Sequence, residues 1–264
     1  LVGAGKGTLD LNKINNTLTK VCMLAAIAKS TDDENVNIVT GLPISQVKMF
    51  GDQLKSYILD TPTIKYSING SDRFVRINNV AVFPQGAGAL YAYDIVGDVI
   101  ILDIGARTVD IAYFEWTSGK RRLVKYNTMF KGMISLYSKI IELINKKYNL
   151  SFDDEYGEKI LTDGLSIFGD TQDISWLQPV YDAHVSEIID TLMLNYPYVS
   201  TNVYLCGGGA SMLFPSFMKK IKNVQILTDN QFSNAVGFKK IADSMWREQQ
   251  EIKQAEKVIK WQQR

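Results

Sequence analysis

The segment Val99-Ile-Ile-Leu-Asp-Ile-Gly-Ala-Arg-Thr-Val-Asp-Ile-Ala-Tyr113 constrains this chain more than any other. An apolar run ends on Asp103, a tight turn follows through Gly105, and a second apolar run starts at Thr108 with Asp110 inside it. Runs rich in Val and Ile have the composition of buried strands, and a carboxylate inside one costs free energy unless something compensates it. A phosphate–metal site supplies that compensation. A turn without bulk at Gly105 lets backbone N–H groups converge on phosphate oxygens, while a carboxylate at the strand end holds a hydrated Mg2+. The same spacing also fits a plain hairpin with a solvent-exposed Asp at its turn, or a metal pair of Asp103 and Asp110 without phosphate. No His or Cys clusters beside them, which argues against a zinc-type site.

The rest of the composition narrows the setting. With 264 residues, 46% hydrophobic and 22% charged, the chain is globular and long enough for one large or two small domains. Its 29 basic and 28 acidic residues leave a formal charge of +1. That balance carries no overall footprint for direct nucleic-acid or membrane binding, and leaves room only for a local basic patch. The longest apolar run, Val21 to Ala28, is too short to span a bilayer, and no export signal opens the chain. Cys22 and Cys206, the only cysteines, both stand among apolar residues. Buried thiols in a cytoplasmic protein are therefore expected, and the sequons at Asn15, Asn69 and Asn149 carry no weight.

Periodicity outlines the elements. Leu9 to Ala28 has helical spacing, with Leu11, Ile14, Leu18, Val21, Cys22 and Ala25 as its expected buried face. Val36 to Thr40 reads as a short buried strand stopped by Gly41 and Pro43, and Val47 to Leu59 as a helix. Thr63–Ile68 and Arg73–Ile77 alternate around Asn69-Gly70, a strong hairpin signal, and Val80 to Phe83 reads as a further strand. Lys120 to Tyr126 is a strand after the Asp103 hairpin, and Met133 to Tyr148 a strongly amphipathic helix. Ser151 to Asp173, with its acidic cluster Asp153-Asp154-Glu155, resembles a small subdomain more than a linker. Trp176 to Leu194 is helical and carries the single histidine, His184, read as a core or helix-surface residue rather than a catalytic one. Asn234 to Arg264 is a long charged helix with Ile241, Met245, Ile252 and Ile259 near one stripe. Strands alternating with helices make the class α/β.

Two further constellations carry chemistry. In Val203-Tyr-Leu-Cys-Gly-Gly-Gly-Ala210 a buried strand runs into Gly207, Gly208 and Gly209 before the apolar run Ser211 to Phe217. Three glycines let a flat ligand approach the backbone with no Cβ in the way, although a triplet alone also fits a flexible loop. In Phe83-Pro-Gln-Gly-Ala-Gly-Ala-Leu-Tyr91, Gln85 follows a strand end, where an amide can orient an attacking water or simply cap the next turn. The opening Gly3-Ala-Gly-Lys-Gly-Thr8 is not a P-loop: the spacing between its glycines is wrong, no Ser or Thr comes directly after Lys6, and no buried strand precedes it.

Together these pieces resemble the actin-like ATPase superfamily (actin, Hsp70, sugar kinases), whose two halves are each built on a ribonuclease-H-like sheet around a nucleotide cleft. Asp103-Ile-Gly-Ala-Arg-Thr-Val-Asp110 looks like the second phosphate loop, and Leu205-Cys-Gly-Gly-Gly-Ala210 like the adenosine motif. Pro84 to Tyr91 and Asn234-Ala-Val-Gly-Phe238 look like the two connecting helices. Within the superfamily the chain is most similar to the ParM-like bacterial plasmid-segregation proteins, in Val39-Thr-Gly-Leu-Pro43, the Asn69-Gly70 hairpin and Asn230 to Phe238. The resemblance implies residues 1–98 as the remainder of domain I and 99–233 as domain II with a small insertion near 149–175. Residues 234–264 would then return to domain I.

By the same resemblance Asp103 binds Mg2+ through water, and Gly105, Ala106, Arg107 and Thr108, with Asp110, form the phosphate site. Gly207, Gly208 and Gly209 face the base and sugar of ATP or GTP, and Gln85 positions the hydrolytic water. The function implied is a cytoplasmic, nucleotide-dependent ATPase that forms a homopolymeric filament and moves plasmid DNA through a DNA-bound adaptor. A small-molecule kinase of the same superfamily, with Asp110 as the activating carboxylate, and a non-catalytic scaffold are the alternatives. One departure stands out: no strand–Asp-x-Gly–strand hairpin, the first phosphate loop, occurs in Leu1 to Lys29. The chain is expected to begin inside the first half, with that loop upstream of Leu1 or lost. The first residue, Leu rather than Met, favours the former. Loss would leave the strands at Val36 and Val80 without sheet neighbours and put hydrolysis in doubt.

Overall fold

The structure, a computed structural model, describes residues 17–262, with side chains through residue 247. Leu11, Ile14 and the Gly3–Thr8 segment lie outside the described residues. The chain forms two compact units: one comprises the chain up to Pro84 together with Gly237 onward, the other Gln85–Val236.

In the first unit β1 (Asn35–Leu42) pairs in parallel with the second half of β3 (Ser71–Pro84), and β2 (Thr63–Ile68) pairs antiparallel with its first half. The β2–β3 turn is the expected Asn69-Gly70, both residues at positive φ (52° and 80°), the geometry whose twist matches the flanking strands. The segments Arg73–Ile77 and Val80–Phe83, read as separate strands, are one continuous strand. It changes partner along its length, and a register slip opposite Val36/Asn37 absorbs the break. Helix α2 (Ile44–Leu59), with Pro43 as its N-cap, adds Leu54 and Ile58 to a core with Leu42, Ile77 and Val80.

Helix α1 (Thr17–Ser30) turns a different face inward from the expected one. Leu18, Val21, Cys22 and Ala25 are exposed, while Met23, Leu24, Ile27 and Ala28 are half-buried. Met23 packs on the α2 core. The helix is apolar nearly all round, so periodicity could not choose its face. Polar ties choose it instead. The Lys20 ammonium lies 4.2 Å from the centre of the Tyr57 ring, and the Arg73 guanidinium donates to the carbonyls of Ala28 (3.3 Å) and Thr31 (2.9 Å).

The second unit is a five-stranded sheet in the order β10-β9-β4-β5-β6. β4 (Val99–Ile104), β5 (Val109–Thr117) and β6 (Lys120–Met129) form an antiparallel meander. β9 (Asn202–Cys206) runs parallel to β4, and β10 (Val224–Ile226) parallel to β9. This is the arrangement expected of a ribonuclease-H-like half. Val99 to Leu102 and Ile104 are buried, so β4 is covered on both faces. Helix α4 (Met133–Tyr148) contributes Met133, Leu136, Ile140, Ile141 and Ile144 to the core from one stripe, and Asn149 ends it in the left-handed conformation (φ 54°). Helix α6 (Gln178–Asn195) buries His184, whose pKa burial pushes down, so it packs as a neutral core residue. Helix α7 (Ala210–Met218) follows the triple glycine.

The 149–175 region holds α5 (Tyr156–Asp163) and the short hairpin of β7 (Leu165–Ile167) and β8 (Asp170–Gln172). Helix α3 (Ala87–Ala92) opens the second unit, and α8 (Ser233–Gln262) starts in it. Of the stripe expected on α8, Ile241 is buried and Met245 exposed, while the side chains of Ile252 and Ile259 lie outside the described ones.

The two thiols thus separate. Cys206 is buried, and burial together with the carboxylates of Asp103 and Asp110 pushes its pKa well up, whereas Cys22 is exposed. Because the thiolate is the reactive form, a disulfide reagent at neutral pH is expected to titrate one thiol in the native protein and a second only after denaturant. Two fast equivalents from the native protein would contradict this burial.

Candidate functional site

The register of the second sheet sets the chemistry in a row. Cys206, Asp103, Asp110 and Thr128 are successive neighbours across β9, β4, β5 and β6. Directly opposed residues share a face, so the two carboxylates that the sequence singled out project from the same side of the sheet. Like charges in that relation repel, and each carboxylate has its own compensation. The Thr128 hydroxyl donates to Asp110 Oδ1 at 2.5 Å. The Asn234 side chain at the start of α8 donates to Asp103 Oδ2 at 2.7 Å. Asp110 is buried and Asp103 half-buried. Burial pushes the Asp103 carboxyl up, while Asn234 and the Gly86 backbone N–H pull it back down.

The turn between β4 and β5 is held from behind. Gly105 N–H closes it on the Thr108 carbonyl at 2.9 Å. The N–H groups of Gly132, Met133 and Ile134, at the start of α4, donate to the carbonyls of Arg107, Gly105 and Ala106 at 3.0, 3.0 and 2.8 Å. In a trans peptide the carbonyl of one residue and the N–H of the next point in opposite directions. The N–H groups of Ala106, Arg107 and Thr108 are therefore turned away from α4. Successive N–H groups on one side of a turn are the geometry that takes up an anion.

Gly132, which the sequence reading passed over, makes this close approach possible. A Cβ there would lie 2.4 Å from the Arg107 carbonyl carbon and 2.5 Å from the Ala106 carbonyl oxygen. No periodicity marks such a residue. Its only sequence signal is a glycine directly before the first apolar residue of a strong helix.

The triple glycine lies against the same strand end. Gly207 (φ 87°) donates to the Asn230 carbonyl at 2.8 Å, and Gly209 to the Ile104 carbonyl at 3.0 Å. A Cβ on Gly207 would meet Asp103 Oδ1 and the Ile104 carbonyl oxygen, each at 2.5 Å. One on Gly209 would meet the Met133 sulfur at 2.5 Å, whereas one on Gly208 would meet nothing within 4 Å. Two of the three glycines are thus required by packing, and the middle one leaves open space. Gln85 is half-buried and directly precedes Gly86, whose N–H donates to Asn234 Oδ1 at 2.8 Å. The structure therefore brings the Asp103–Asp110 turn, the triple glycine and the Gln85–Gly86 corner together within one unit.

The donor set limits what cation could sit here. Among the described residues no group of three His, Cys, Asp or Glu side chains comes together. A strand-end carboxylate beside a cradle of N–H groups suits a hard, hydrated ion that takes its remaining ligands from water and phosphate, which is the habit of Mg2+. No helix among the described residues is long and apolar enough to cross a membrane.

Comparison with known proteins agrees with this architecture. Residues 3–88 match the family of actin-like protein N-terminal domains, and residues 101–219 match the C-terminal domain of the archaeal actin homologue MreB-like family. None of the curated proteins matches this sequence. Among solved structures, the archaeal actin homologue Ta0583 in complex with ADP superposes with a TM-score of 0.75 at 18% identity, over 88% of this chain and 80% of that one. A ParM from a 15-stranded filament of Clostridium botulinum gives 0.70 at 22% identity, over 86% and 73%. A non-polymerisable quadruple mutant of pCBH ParM gives 0.71 at 21%, over 88% and 77%. The two family models, covering successive parts of the chain, and the fold they share with these structures place the protein in the actin-like ATPase superfamily, with ParM-like relatives.

Proposed function

We propose that this protein is a nucleotide-dependent, filament-forming ATPase. The observation that carries the reading is the meeting of Asp103 with Gly207 at the ends of adjacent parallel strands, where a Cβ on Gly207 would lie 2.5 Å from the carboxylate. The outward N–H groups of Ala106, Arg107 and Thr108 bind the phosphates of ATP or GTP, and Gly208 leaves room for the base and sugar. Asp103 holds a hydrated Mg2+, with Asp110 beside it to orient water. Bound there, the ion would neutralise phosphate charge. Gln85 orients the attacking water.

We read residues 1–98 with 234–264 as one half and 99–233 as the other, against unit boundaries at Pro84/Gln85 and Val236/Gly237 in the fold. Nucleotide binding favours head-to-tail association, and a heterologous contact that does not close on itself grows a filament. Loss of the γ-phosphate shifts the population back toward free subunits. Through a DNA-bound adaptor the polymer moves plasmid DNA in a bacterial cytoplasm. The ParM filament among the structural neighbours supports the assembly part of this reading, and the ADP complex of Ta0583 supports the nucleotide part.

Light scattering and pelleting of the full-length protein test this directly. ATP or GTP with Mg2+ is expected to move the protein into the pellet, and Asp103→Asn to abolish that response. A soluble monomer in every nucleotide state would overturn the filament reading.

The glycines give an internal contrast. Gly207→Ala forces a side chain into a left-handed backbone and against Asp103, at a cost of about 1–3 kcal/mol in stability, and is expected to weaken nucleotide binding. Gly208→Ala, whose Cβ meets nothing in the protein, is expected to keep the wild-type melting temperature while still lowering nucleotide affinity. Equal and unaltered affinities in both variants would remove the triplet from the binding site.

A further inference from the structure

Asn234 has a role that neither its position in a connecting helix nor the motifs around it define. Its side-chain oxygen accepts from the N–H groups of Gly86 (2.8 Å) and Ala89 (3.3 Å), and its amide nitrogen donates to Asp103 Oδ2 (2.7 Å). The orientation of the amide is dictated by chemistry. Only the oxygen can face two N–H donors, and only the NH2 can face a carboxylate. One side chain therefore joins three segments remote in sequence: the start of α8, the corner before α3 and the end of β4.

On the other side of Asp103, Oδ1 faces the Cα of Gly207. With one oxygen tied to Asn234 and the other against a bare backbone, the carboxylate is held in a single rotation about its Cβ–Cγ bond. The side chain of Asp103 would otherwise be able to turn toward the cross-strand Asp110 or away from it. A hydrated cation gains from a carboxylate already oriented, since the ordering cost is met before it binds.

We infer that Asn234 is the positioning residue of the metal site: it fixes the Asp103 carboxylate for a Mg2+–nucleotide complex and links it to the corner that carries Gln85. Asn234 touches neither nucleotide nor metal. The inference rests on the nucleotide reading given above, and the two fail in different ways.

The test is a titration of a fluorescent ATP analogue into the full-length protein, with Mg2+ and again in EDTA, for the wild type, Asn234→Leu and Asn234→Ala. Wild-type affinity is expected to rise when Mg2+ is present. Loss of the hydrogen bond to the charged Asp103, together with those from Gly86 and Ala89, is expected to cut that rise by about tenfold in both variants while leaving the EDTA affinity within about twofold. A residue that merely supported the fold would lower both affinities together. Variants with an unaltered Mg2+ effect, or with equal losses in the two conditions, overturn the role of Asn234 and leave the nucleotide reading standing.

A wild type that binds no nucleotide in either condition overturns the nucleotide reading, and this inference with it. Should neither variant unfold cooperatively, the wild-type side-chain amide signal of Asn234 in a nitrogen–proton NMR spectrum serves instead. It is expected to move on adding Mg2+ with nucleotide but not with nucleotide in EDTA. A signal that ignores the metal overturns the inference.

Discussion

Three hydrogen bonds, from Gly132, Met133 and Ile134 to the carbonyls of Arg107, Gly105 and Ala106, govern this molecule's candidate site. They solve two problems at once. The first N–H groups of a helix have no partners within it, and the carbonyls of a tight turn have none within the turn. Joining the two leaves neither set exposed and fixes the turn to α4, whose Met133, Leu136, Ile140, Ile141 and Ile144 are buried in the core. The direction of the turn's own N–H groups then follows from peptide planarity rather than from any side chain. A cradle defined by backbone geometry tolerates variation in the residues that form it, which is why the turn can carry Ala106 and Arg107 without losing its shape.

The second constraint is electrostatic. β4 is covered on both faces, yet its penultimate residue is a carboxylate directly opposite another. Each accepts a hydrogen bond from a neutral donor, Asp110 from Thr128 and Asp103 from Asn234. A neutral donor offsets burial of a carboxylate without itself cancelling the charge. Cys206, next in the row, feels the same field as a thiol held protonated.

How much of this could be read in the sequence follows from the range of the interactions involved. The Asp103–Asp110 hairpin, the Asn69-Gly70 turn and the stripe of α4 were legible because each is set by residues close in sequence, through turn chemistry or a single period. The face of α1 was not, because an almost uniformly apolar helix has no preferred side until Tyr57 and Arg73 supply one. The continuity of β3 was hidden for a related reason. A strand that changes partner midway breaks its alternation where the partner changes, and a broken alternation reads as two strands. Gly132 and Asn234 escaped notice as site residues because their importance lies in what they approach across more than two dozen residues of chain, a relation with no local signature.

Every group brought together around Asp103 belongs to the second unit: the Gln85–Gly86 corner, the turn, Gly132 on the approach to α4, the glycines after β9 and the first residues of α8. Five separate stretches of chain converge there, and each is pinned by backbone bonding or by a side chain with no freedom left. A site assembled from stretches so far apart in sequence exists only once the whole sheet has formed, so its geometry is as cooperative as the fold that holds it. The same dependence makes it preorganised. The entropy of bringing a carboxylate, a set of N–H donors and a bare glycine backbone together is spent in folding this unit, and a phosphate-bearing ligand does not meet it again on binding.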